Sequence, residues 1–235
     1  MDQELHEGTK TPLSSGDRGH LLELSAIFFL LLAPTLFYFL TGGTRQSDSE
    51  LTVVSLVPDM LMRIGWCTLV PLLLARGGSF DWKLPRSGAE WGKEIGWGVL
   101  LILAIWGCAL VIGLIVNTFG LNETQELAQP TPNRSAMTAL LLFTPVIGLD
   151  EELLFRVYLQ TRLTQVMRSK RMLPVFLASA LFASVHGYPL AGTLTILVFG
   201  LVLGFSYQAN GKIPRLVVAH TLWNVGVIGL GLLLG

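Results

Sequence analysis

The chain has 235 residues, 51% of them hydrophobic and only 14% charged, which excludes an ordinary soluble domain. Its formal net charge is zero, so no global field points to nucleic acid as a partner. The two cysteines, Cys67 and Cys108, sit far apart in apolar segments, which excludes a disulfide framework or a zinc knuckle and reads as packing.

A helix needs about 20 apolar residues to cross a hydrocarbon core of ~30 Å. Residues 1–20 read as a polar tail with acids at Asp2, Glu4 and Glu7 and bases at Lys10 and Arg18. The first apolar run, 21–41, exceeds the roughly 7–15 residues of a signal core and lacks a small-x-small cleavage site, so it reads as an uncleaved span. Further spans follow at 51–75 and 95–119. Asp59 and Arg63, four residues apart in the second, read as a local ion pair or as residues close to a cavity. The polar, proline-bearing stretch 122–134 reads as an exposed connector. The remaining spans are 136–161, 172–188, 190–208 and 214–234, with only Gly187-Tyr188-Pro189 punctuating the fifth and sixth. Gly200 and Gly204 fit close helix packing. Trp66, Trp82, Trp91, Trp97 and Trp106 read as interfacial belt residues, and Trp223 as part of a groove.

The expected fold is therefore all-α: a single polytopic membrane domain over 21–235, with about seven transmembrane helices, eight being the alternative, around a polar cavity. Basic residues orient it. Lys10, Arg18, Arg76, Lys83, Arg86, Lys93, Arg162, Arg168, Lys170, Arg171, Lys212 and Arg215 fall on one side, and only Arg45 and Arg134 on the other. By the positive-inside rule the N-terminus is cytoplasmic.

Ionisable side chains within spans are costly and mark functional sites by default. The fourth span holds Glu151, Glu152 and Arg156. Successive helical residues diverge by ~100°, so the two carboxylates point differently. Arg156 stands four residues after Glu152, the spacing of a helical ion pair, which leaves Glu151 freer to face a cavity as a general acid or base. Asp150 could take either role or face the helix exterior, and the whole group could equally be a structural ion network. Phe182 and His186 share a helix face, as do His220 and Asn224. Each histidine alone could be an interhelical hydrogen-bonder. Together with the acids they fit two chemistries. In one, Glu151 and His186 polarise a water while His220 and Asn224 stabilise an oxyanion. In the other, both histidines and a carboxylate hold zinc, although the string His-Glu-x-x-His is absent. Ser184 lies two residues from His186 and neither cysteine has a histidine near it in sequence, so nucleophile schemes fare worse.

The strings Glu-Glu-x-x-x-Arg at 151–156, Phe-x-x-x-His at 182–186 and His-x-x-x-Asn at 220–224 resemble, in order, those of the CAAX-protease and bacteriocin-processing family of intramembrane endopeptidases, which includes the type II CAAX prenyl endopeptidases. The likeness covers roughly the last 90 residues. It implies a polar cavity open to cytoplasm and lipid, with Glu151 activating water, His186 assisting, His220 and Asn224 forming the oxyanion hole, and Glu152 with Arg156 shaping the site. It implies a hydrophobic, lipidated or membrane-presented peptide as substrate, membrane lipids as surroundings, and no nucleic acid. Family members have been described as metalloproteases and as glutamate proteases. The second reading, with no cofactor, is favoured, and zinc stays the alternative. A bacterial or archaeal plasma membrane is the expected location. A non-catalytic immunity or regulatory protein is the competing function, whereas a proton-coupled transporter would call for repeats or broken helices.

One spacing strains this picture. Glu151 lies about 16 Å from Arg162 along a helix, whereas His186 lies ~22 Å from Arg171, toward the other leaflet. The expectation is that part of 172–180 lies at the interface, with Pro174 suiting the helix start.

Overall fold

The computed structural model describes residues 19, 22–27, 29, 51–76, 81–121, 132–168 and 170–234. The N-terminal tail, most of the first expected span, Arg45 and the connector at 122–131 lie outside the described residues. The main elements are α1 (Val53–Arg76), α2 (Gly88–Thr118), α3 (Arg134–Glu152), a π-helical segment (Leu153–Gln160), α4 (Thr161–Val166), α5 (Leu173–Ser184), α6 (Leu190–Asn210) and α7 (Ile213–Leu234). No strand occurs among the described residues, only an isolated bridge between Leu51 and Pro132. Among the described residues four helices, α1, α2, α6 and α7, are long and apolar enough to cross a membrane. Leu61, Leu72, Leu103 and Leu114 point outward from the first two, as expected of helices apolar all round. The protein is an all-α polytopic membrane protein.

Local chemistry sets the helix starts. The Ser87 side chain accepts from the Glu90 amide at 3.2 Å, and that of Asn133 from the Ala136 amide at 2.8 Å, satisfying donors that a first turn leaves open. With Ser87 as cap, α2 begins seven residues before the expected 95–119 span.

The expected fourth span is one continuous helical run from Arg134 to Val166, interrupted in hydrogen-bond register by the π-helical segment. All eight residues of that segment are buried, including Arg156. Helices α1, α5 and α6 pack around it, so the charges at its start face protein rather than lipid.

The expected fifth span is corrected. Helix α5 has 12 residues, a rise of about 18 Å at 1.5 Å each, which is short of the ~30 Å core. Pro174 does stand at its start; Pro174, Val175, Ala178 and Ser179 are buried in the bundle, while Met172, Leu173 and Phe176 are exposed. Gly187 then takes φ +64°, a left-handed conformation open to glycine, and turns the chain into antiparallel α6. The pair is close-packed: a Cβ on Gly200 would stand 3.0 Å from Ser179 Cβ, and one on Gly204 2.8 Å from Val175 Cγ1. His186 lies just beyond this short helix, and its Nε2 stands 3.8 Å from Glu151 Oε2.

Several segments expected on one side of the membrane gather at one end of the bundle. Lys83 Nζ donates to the Asn210 carbonyl at 3.5 Å, Gln208 Nε2 to that of Arg171 at 2.5 Å, and Lys212 and Arg215 meet Glu94. Cys67 packs half-buried against the core, whereas Cys108 is exposed on α2. The Trp106 ring packs on Trp223 with centroids 5.6 Å apart.

Candidate functional site

Helices α3, α5, α6 and α7 bring the expected residues to one cavity of about 250 Å³. A single water needs roughly 10–15 Å³ on this scale. Glu151, His186, His220 and Asn224 line it with Arg63, Phe182, Tyr188, Phe199 and Trp223. Gly148, one turn before Glu151, lets α7 approach: a Cβ there would stand 3.3 Å from His220 Cβ.

The hydrogen bonds orient both imidazoles. His186 Nδ1 lies 2.6 Å from the Phe182 carbonyl, which can only accept, so Nδ1 carries the proton and Nε2 turns to the cavity. His220 Nδ1 lies 2.8 Å from Glu152 Oε1, and its Nε2 also turns inward. Both Nε2 atoms face one oxygen, Glu151 Oε2, at 3.8 Å for His186 and 3.5 Å for His220. These gaps exceed a direct hydrogen bond, and a cavity water lying beside the three groups can donate to the carboxylate and to an imidazole while keeping a lone pair for attack. Aromatic edges hold the rings: Phe182 packs on His186 at 4.6 Å and Phe199 on His220 at 4.8 Å.

Glu152 and Arg156 are both fully buried. The expected pair is present but loose, with Arg156 Nε 3.4 Å from Glu152 Oε2 outside hydrogen-bond geometry. Glu152 is held more tightly by His220, and the Arg156 guanidinium sits over the Phe182 ring at 5.0 Å.

The expectation that Glu151 is the freer acid is corrected. Arg63 Nη1 donates to Glu151 Oε1 at 2.8 Å and to Asp150 Oδ2 at 3.2 Å, while its Nε donates to Asp59 Oδ2 at 2.8 Å. Asp150 is thus buried against α1, not on the helix exterior. Tyr188, whose ring stacks 5.7 Å from His186, was not anticipated either. Its position beside a turn glycine was the available signal.

As donors, two imidazole nitrogens and a carboxylate suit zinc, and each outer nitrogen is backed by an acceptor, as in many metal sites. Among the described residues no group of three His, Cys, Asp or Glu side chains is gathered as a metal cluster.

With this geometry in hand, residues 133–226 match the family model described as type II CAAX prenyl endopeptidase, Rce1-like. The match spans the three strings read from the sequence, and over this segment the chain is similar to type II CAAX prenyl endopeptidases. Helix α1, and Arg63 with it, lies outside the match. No curated protein and no solved structure matches the chain.

Proposed function

We propose that the protein hydrolyses a peptide bond by a glutamate-type mechanism. Glu151 Oε2 takes a proton from a water held between it and His186, and the resulting hydroxide forms a bond to the scissile carbonyl carbon. His220 and Asn224 hydrogen-bond the carbonyl oxygen as it gains charge. His220 donates from Nε2 when it carries protons on both nitrogens, its Nδ1 remaining on Glu152. The C–N bond then breaks, and the proton held by Glu151 passes to the departing amine. Glu152 and Arg156 set the place and charge of His220.

The observation that carries this reading is the convergence of both Nε2 atoms on one oxygen of Glu151, in a cavity that Asn224 also lines. The apolar wall of Ile147, Ile196, Val227 and Ile228 suits a hydrophobic or lipidated peptide arriving from the bilayer. The gathered basic segments support a cytoplasmic placement of their end of the bundle, and with it a cytoplasmic N-terminus.

The test is Glu151→Gln in purified, reconstituted protein with prenylated and unprenylated peptides. Cleavage should fall by about 10²–10⁴-fold, with the melting temperature kept. Undiminished turnover removes the glutamate base, and loss of wild-type turnover in EDTA, restored by Zn²⁺, replaces it with a metal mechanism.

A further inference from the structure

We propose that Arg63 is a positioning residue for the Glu151 carboxylate, selecting which of its two oxygens does the work. The proposal rests on Glu151 being the base and adds a functional residue from α1, outside the family-matched segment.

A glutamate's terminal torsion is broad and roughly two-fold, so an untethered carboxylate presents either oxygen or neither. Here one oxygen is committed. Oε1 accepts from Arg63 Nη1 at 2.8 Å, and the carboxylate plane then carries Oε2 to the two imidazoles. Charge-assisted bonds of this length are among the stronger ones. The clamp is itself fixed, because Asp59, one turn earlier on α1, takes Nε at 2.8 Å, and Asp150 takes Nη1 at 3.2 Å. The guanidinium fork therefore ties α1 to the helix of Glu151 at two acids, Asp150 and Glu151, while Asp59 holds it from its own helix.

The rival role for an arginine lining a peptidase cavity is to read a substrate carboxylate. The charges weigh against it. One guanidinium faces Asp59, Asp150 and Glu151, so the cluster as a whole has no positive charge left for an anionic ligand. Lysine at this position would supply one compact ammonium in place of a planar fork and could not serve Asp59 and Glu151 in the same way.

The experiment uses the full chain in liposomes with a membrane-presented peptide, comparing Arg63→Met, Arg63→Lys, Asp59→Asn and the exposed α1 control Thr68→Ala. Arg63→Met should lower kcat by about 10²-fold, the scale of a small misplacement of a reacting group, with KM near the wild-type value. Arg63→Lys should fall between the two, Asp59→Asn should lose less, and Thr68→Ala should match wild type. Methylguanidinium added to Arg63→Ala should restore part of kcat, which repair of general folding would not do. If Arg63→Met fails to fold, the graded kcat losses in Arg63→Lys and Asp59→Asn decide. Wild-type kcat in the folded Arg63 variants, or a raised KM with unchanged kcat, overturns the clamp. Full activity of Glu151→Gln defeats the underlying reading instead, whatever Arg63 does.

Discussion

Two buried ion clusters in this protein are built on opposite plans. At the end of the bundle, Glu94 of α2 has both oxygens taken: Arg215 Nε reaches Oε2 at 2.6 Å, and Arg215 Nη2 and Lys212 Nζ reach Oε1 at 3.0 and 2.8 Å. Trp97 closes the cluster, its ring 5.6 Å from the arginine. At the centre, Arg156 is equally buried, yet none of its three nitrogens has a hydrogen-bonding partner among the described residues, and neither does Glu152 Oε2. The first cluster satisfies itself and acts as a brace between α2 and α7. The second holds opposite charges near one another without closing them, leaving polar capacity beside Glu151. Burial alone therefore does not tell a brace from a site; the completeness of the hydrogen bonding does.

The sharpest way to break this contrast is to remove one member of the brace. Glu94→Ala leaves Arg215 buried without its carboxylate and should cost about 3–5 kcal/mol of stability, read as a lowered melting temperature in detergent. Turnover per folded molecule should change less than in any cavity variant. Next in size, Asn224→Ala should slow kcat by about 10²–10³-fold, or 2.7–4 kcal/mol on the barrier, with the melting temperature unmoved. A melting loss like that of Glu94→Ala would place Asn224 among the braces. The joint replacement Glu152→Gln with Arg156→Met should act on stability in the opposite direction to Glu94→Ala. Removing both partners of a poorly bonded buried pair should be neutral to stabilising, by up to about 1–4 kcal/mol, while peptide cleavage falls. A strong loss of stability there would mean that the centre is braced after all.

What the sequence made legible follows the reach of local geometry. The pairs at four-residue spacing, Asp59 with Arg63 and Glu152 with Arg156, meet as the helix period requires. The long apolar runs at 51–75, 190–208 and 214–234 are helices close to those bounds. Partners distant in sequence were out of reach: Arg63 is 88 residues from Glu151, and Glu94 is 121 from Arg215. No periodicity encodes which lateral faces meet. The π-helical register from Leu153 to Gln160 was equally hidden, because it changes the turn without changing which residues are apolar. The fifth span failed for a simpler reason. Its apolar run includes the turn at 185–189, and hydropathy cannot separate a full crossing from a half crossing followed by a bend.

That half crossing bears on how a hydrolase in a bilayer obtains its second reactant. Irregular backbone at membrane depth survives only where protein covers it or water reaches it. The turn after α5 stands level with Glu151, and Tyr188 within it is 41% exposed. The short helix beside Glu151 thus ends in a partly exposed turn at the cavity. On the proposed hydrolase reading, the length of that one helix would set where water enters.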